Sequence, residues 1–152
     1  MYRTADTGDC QRVYELICNM EQKTLPYERF QAIFETQLQR EDYRCLVLEE
    51  DGAVLGALNL RFEEQLHHAE RIAEIMEFAV DAACRNRGLG AELFAHACET
   101  AKEQGCVQIE VACNRLRTNT HRFYLREGMH NFHYKFSKPL IGEDTAENAL
   151  GK

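Results

Sequence analysis

Residues 72–90 read IAEIMEFAVDAACRNRGLG. The first nine are mostly apolar and predict a buried central strand from Ile72 to Val80. Gly88 and Gly90 then open a long helix that carries Leu89, Leu93, Phe94, Ala97 and Ala101 at helical spacing. Gly105 ends that helix as a C-terminal cap. Val107 to Cys113 predicts the next strand. Two strands joined through one helix form a parallel, right-handed crossover, which fixes the centre of a mixed α/β fold.

The flanks fit around this unit. Val13, Leu16, Ile17 and Met20 predict an amphipathic helix from Asp9 to Gln22. Pro26 suits the first turn of a second helix, whose apolar face is Phe30, Ile33, Phe34 and Leu38. Arg44 to Glu49 and Val54 to Phe62 predict two strands joined by the Asp51-Gly52 hairpin turn. Glu63 to Arg71 reads as a polar connection. Downstream, Thr118 to Glu127 predicts a short helix stopped by Gly128, and Phe132 to Ser137 predicts a last strand. The expectation is one domain over residues 1–140, a central mixed sheet flanked by helices, and a polar tail over 141–152.

Composition bounds the function. The chain has 152 residues, 45% hydrophobic and 28% charged, as in an ordinary globular protein. No apolar run reaches the roughly 20 residues of a membrane span. Met1 to Asp9 lacks the apolar core of a signal peptide, so a cytoplasmic location is expected. The seven cysteines include no C-x-x-C pair, which predicts reduced thiols and no structural zinc. A net charge of −7 disfavours nucleic acid and favours cationic partners.

Four features carry chemistry. The run Arg85-Asn86-Arg87-Gly88-Leu89-Gly90 joins a strand to a helix start, where free N–H groups and the helix dipole attract anions; a pyrophosphate is the natural guest. Its plainer reading is a tight turn with two solvated arginines. Glu74 and Glu77 sit inside an apolar strand, where partial burial would raise a carboxyl pKa toward that of a base. Alternation puts them on opposite faces unless a bulge intervenes, and each could instead pair with Arg61 or Arg71. Tyr124, just before a glycine stop, is a candidate proton donor or an ordinary core tyrosine. His67, His68, His121 and His133 are candidate acceptor-binding residues or surface histidines.

Together these residues resemble the GNAT superfamily of N-acetyltransferases. Arg85, Gly88 and Gly90 match its phosphate-loop motif between strand and helix. Phe123-Tyr124 followed by Glu127-Gly128-Met129 is similar to its second signature. The resemblance implies acetyl-CoA as cosubstrate, with Phe78, Ala79 and Val80 along the pantetheine arm and Arg85, Asn86, Arg87, Gly88, Leu89 and Gly90 around the pyrophosphate. It implies Glu74, or failing it Glu77, as general base, and Tyr124 as the acid for the leaving thiolate. Arg117 stands where the family often has asparagine, so Asn114 or Asn119 would supply that cofactor contact. The segments Val13 to Cys18, Leu66-His67-His68, His121 to Gly128 and His133 to Lys138 resemble the aminoalkylphosphonate N-acetyltransferases. That implies a small aminophosphonate acceptor and, as an optional addition, a divalent metal ion whose ligands the sequence leaves unknown. The expected partner is a small-molecule amine, with a homodimer admitted and nucleic acid and membrane excluded. The alternatives are another amine (a polyamine, an aminoglycoside or a protein N-terminus) or a non-catalytic acyl-CoA sensor.

Overall fold

The computed structural model describes residues 1–141, so the expected tail, apart from Ile141, lies outside the described residues. These fall into two compact units, one of Met1–Val111 and one beginning at Ala112. The first holds β1 (Tyr2–Thr4), α1 (Cys10–Glu21), α2 (Tyr27–Leu38), β2 (Tyr43–Glu50), β3 (Ala53–Gln65), β4 (Glu70–Val80), α3 (Leu89–Glu103) and β5 (Gln108–Val111). The strands lie in the order β1-β2-β3-β4-β5, antiparallel except for the parallel pair β4–β5. This is the expected mixed α/β sheet with a crossover through the long helix.

Local chemistry accounts for the elements. Asp51 and Gly52 take φ of 52° and 80°, the left-handed pair that a two-residue hairpin requires. Pro26 caps α2, where its missing N–H removes nothing. One face of the sheet packs Val47, Ala57 and Ala79 against Val13, Leu16, Ile17 and Phe34 of the first two helices. Leu58, Leu60, Phe62 and Leu93 are fully buried, each worth about 1.5–3 kcal/mol of transfer free energy. Gly56 matters for the site. A Cβ there would lie 3.3 Å from Leu93 and 3.5 Å from the Ala79 carbonyl, so glycine lets α3 close on the end of β4.

Three expectations change. Glu63 to Arg71 is not a loose connection: β3 and β4 pair through Gln65 and Glu70, leaving a turn at 66–69. Its polarity reflects a ribbon end with little core beneath it. Phe132 to Ser137 forms no strand, because no described strand pairs with it and Phe132, Tyr134 and Phe136 are all exposed. β1, too short for a periodic signal, was not predicted at all; it pairs Tyr2–Thr4 with Leu46–Leu48.

In the second unit, α4 spans Thr118–Arg126. Gly128, at φ 90°, ends it, with Gly128 N–H donating to Leu125 C=O and Met129 N–H to Tyr124 C=O.

Candidate active site

The site starts where β4 ends. Asp81 caps the 3-10 turn Ala82–Cys84 through Ala83 N–H at 2.8 Å, and its other oxygen takes a hydrogen bond from Arg12 of α1. Arg12 also donates to Val54 C=O at 2.8 Å, so the end of the strand is pinned from two sides. Asn86 and Gly88 then adopt φ of 68° and 77° and turn the chain into α3. The first α3 bond runs from Glu92 N–H to Gly88 C=O, so the N–H groups of Leu89, Gly90 and Ala91 have no intrahelical acceptor. Such donors, with the helix dipole, attract anions. Arg85 is exposed in the same turn, and Arg87 pairs with Glu50 at 2.8 and 2.9 Å.

β4 continues past its parallel partner. The pairing with β5 covers Ile72 to Ile75 only, so from Met76 to Val80 no described strand lies on that side. Asp81 N–H donates to Leu55 C=O, and alternation then turns the peptide groups of Phe78 and Val80 away from β3 and those of Ala79 toward it. The Val80 backbone therefore offers a donor and an acceptor to an extended ligand along the open edge.

The two glutamates lie on one face. The β3–β4 ladder pairs Asn59 with Glu77 and Leu60 with Ile75, so Met76 is an extra, bulged residue. Plain alternation would have separated the carboxylates. The bulge resets it, and both reach the face shared by Asn59 and Arg61, two residues apart on β3. Their surroundings differ. Glu74 accepts from Arg61 at 2.8 Å, and Arg61 also holds Glu63 at 2.6 Å. Glu77 is half-buried and, among the described residues, accepts only from Asn59 Nδ2, at 2.8 Å. Desolvation raises its pKa, the Asn59 hydrogen bond opposes this, and nearby Glu21 raises it further. The same Nδ2 donates to Gln37 Oε1 of α2 at 3.0 Å. Gln37, Cys45 and Asn59 line a cavity of about 640 Å³ whose wall also includes Arg40, Arg44 and Arg71 with Asp6 and Glu41. Cys45 is buried and its thiol is pushed up to about 12, which keeps it inert. Asn59 and Gln37 escaped the sequence reading, although an asparagine between Leu58 and Leu60 was a usable signal.

In the second unit, Tyr124 is buried and its hydroxyl is pushed up to about 12, chiefly by desolvation. It stays neutral at physiological pH and keeps its proton to give. Asn114 is occupied: its Oδ1 accepts from Leu116 N–H at 2.9 Å, and its carbonyl accepts from Arg117 N–H and from His121 Nε2 at 2.8 Å. Asn119 accepts from Arg122 at 3.1 Å on an exposed helix face.

In the first unit, the two predicted histidines sit away from the glutamates. The rings of His67 and His68 lie 4.2 Å apart, tilted by 44°, in the turn between β3 and β4, with His68 against Gln65 Oε1 at 2.6 Å. That turn lies about 20 Å along the strand from the bulge, at 3.3 Å per residue. His133 is exposed in the second unit. Among the described residues no three His, Cys, Asp or Glu side chains are grouped to hold a metal ion, so the residues do not fit one. No described helix is long and apolar enough to cross a membrane.

Comparison with known proteins bears on this geometry. The model of the acetyltransferase (GNAT) family matches residues 10–129. A Salmonella typhimurium LT2 protein named aminoalkylphosphonate N-acetyltransferase is 36% identical over 138 residues, 91% of this chain and 90% of that protein. The crystal structure of a transcriptional regulator from Bacillus halodurans C-125 superposes with a TM-score of 0.85 at 22% identity, covering 92% of this chain and 99% of that one. A ribosomal-protein-alanine N-acetyltransferase from Brucella melitensis biovar Abortus 2308 gives 0.76 at 14% identity, covering 92% and 99%. Those two likenesses concern the fold.

Proposed function

Since the chain belongs to the acetyltransferase (GNAT) family and is an acetyl-CoA-dependent N-acetyltransferase, we propose that it acetylates the primary amine of a small aminoalkylphosphonate with Glu77 as general base. The observation that carries the choice of base is the contrast on one face of β4. Glu74 is held by Arg61, whereas Glu77 is half-buried, has a raised pKa and, among the described residues, meets a donor at Oε1 alone. A base with such a pKa is better matched to proton transfer near neutrality.

Glu77 Oε2 takes the proton from the acceptor's ammonium. The amine nitrogen bonds to the thioester carbonyl carbon, and backbone N–H of β4 beyond the bulge, Val80 foremost, stabilises the charge that forms on oxygen. The C–S bond breaks, the thiolate takes its proton from Tyr124, which burial keeps neutral, and the new amide nitrogen sheds its remaining extra proton to solvent, which returns one to the tyrosinate. The loop from Arg85 to Gly90 and the Val80 edge hold the coenzyme. No step requires a metal.

The phosphonate is supported by the named relative; Arg44 and Arg71 border the same cavity as Asn59 from the opposite face of the sheet. Arg44 makes no ion pair among the described residues, so its charge is available for an anion. The histidines are too scattered for that task. Glu21 and Glu77 together favour a second reading, a polyamine with cationic groups only. One comparison separates them: kcat/KM for aminoethylphosphonate, the matching alkylamine and a polyamine, in wild type and Arg44→Ala. The phosphonate should lead in wild type and lose its lead, about tenfold for one charge-assisted contact, in Arg44→Ala. A lead for the polyamine would replace the acceptor and leave the acetyl transfer in place.

A further inference from the structure

Asn59 is the only donor to Glu77 among the described residues, and it stands in the middle of the sheet between two fully buried leucines. A short amide there is poorly placed for packing. Both of its N–H bonds are directed: one to Glu77 Oε1 at 2.8 Å, the other to Gln37 Oε1 at 3.0 Å. Gln37 comes from the last turn of α2, while Glu77 follows directly on the bulge of β4. The amide thus ties the carboxylate of β4 to a side chain of α2.

We infer that Asn59 is a positioning residue for acetyl transfer: anchored by Gln37, it holds Glu77 Oε1 and leaves Oε2 as the oxygen that accepts the acceptor's proton. This rests on the reading of Glu77 as base. A donor to one oxygen fixes the rotation of the carboxylate and selects which lone pairs remain for substrate. It also favours the ionised form, against a burial that favours the neutral one. Asparagine suits the task better than its relatives. Leucine keeps the shape and loses the donor. Aspartate would put a second carboxylate beside the first, and the two would share a proton.

The groups facing Glu77 are few. Glu21 approaches from α1, Gln37 from α2 and the Cys45 thiol from β2; the Arg61–Glu74 pair follows two residues along β3 on the same face. None of these supplies a second donor to Glu77. Removing the Asn59 amide should therefore raise the pH at which Glu77 ionises. The acid limb of kcat/KM should move upward, with activity lost below the limb and recovered above it.

The test measures the pH profile of kcat/KM for Asn59→Leu, Asn59→Asp, Gln37→Leu and Glu77→Gln, alongside 13C NMR titration of labelled glutamate in the same proteins without ligand. We expect the limb and the Glu77 titration to rise by about one pH unit in Asn59→Leu, a tenfold loss on the acid side. The rise should be larger in Asn59→Asp and smaller in Gln37→Leu, with the KM for acetyl-CoA unchanged. A uniform loss at every pH with an unmoved Glu77 titration would make Asn59 merely structural and overturn the inference. If Glu77→Gln keeps the wild-type limb, the base itself is misassigned; if it loses the limb while Asn59→Leu leaves it in place, only the positioning role fails. Should Asn59→Leu not fold, Gln37→Leu and Asn59→Asp carry the same readout.

Discussion

The two ends of the proposed reaction path are built in opposite ways. The cofactor end is a loop of six consecutive residues, Arg85 to Gly90, whose working groups are mostly backbone N–H. The acceptor end is assembled from side chains on four separate elements: Glu21 on α1, Gln37 on α2, Asn59 on β3 and Glu77 on β4. The first needs a chain that can turn sharply at Asn86 and Gly88. The second needs a finished fold. A binding task common to many proteins can be written locally, while a choice of acceptor is written in packing, where it can change without disturbing the loop.

The strongest way to break this contrast is at the acceptor end. Glu77→Gln should lower turnover by at least about 10², the scale of general-base catalysis, with the loss shrinking as pH rises and the amine sheds its own proton. Glu74→Gln should cost no more than about fivefold, the scale of one half-exposed ion pair. Steady-state rates across pH decide it, and the reverse ranking would move the base to Glu74. The cofactor end is tested next by Gly88→Asp. That change adds a negative charge at the anion site and forces a side chain into φ 77°, so acetyl-CoA should bind at least about tenfold more weakly, roughly 1.4 kcal/mol, by calorimetry. Acceptor affinity should stay put; a matched loss of both would show that the ends are not separable. The smallest effect concerns Arg87, which Glu50 holds at 2.8 Å. Glu50→Gln frees the guanidinium for the coenzyme, and the Kd for acetyl-CoA should tighten by about two- to threefold, within the worth of an exposed pair. Weaker binding instead would mean that Glu50 orients Arg87 for the phosphate rather than competing with it.

The same contrast explains what could be read without coordinates. The crossover, the Asp51-Gly52 hairpin and the glycine that ends α4 depend on neighbours in sequence, and all were legible. The turn from β4 into α3 was legible for the same reason. The relation of Glu74 to Glu77 was not, because alternation is a rule about an unbroken ladder and Met76 breaks it. Arg61 was among the partners foreseen, but nothing local shows that it selects Glu74 and leaves Glu77 to Asn59. Four histidines suggest a cluster, and nothing local shows that the fold leaves His67 and His68 in the turn between β3 and β4. The strand expected at Phe132 to Ser137 failed for a related reason: alternating side chains specify a strand only when a ladder receives them.

The bulge at Met76 also sets how this gene can change length. A strand assigns residues to its two faces in steps of two, and Met76 is the extra step. Losing that one codon would exchange the faces of every β4 residue on its amino-terminal side, carrying Glu74 toward the apolar layer beneath α3 and Ile75 toward the helices on the other face. A codon lost from the 66–69 turn, beyond both strands, would shift no residue of the sheet from one face to the other. Two deletions so close in sequence should thus differ as a broken enzyme differs from a working one, and the length of β4 should be far less free to vary than the length of the turn that leads into it.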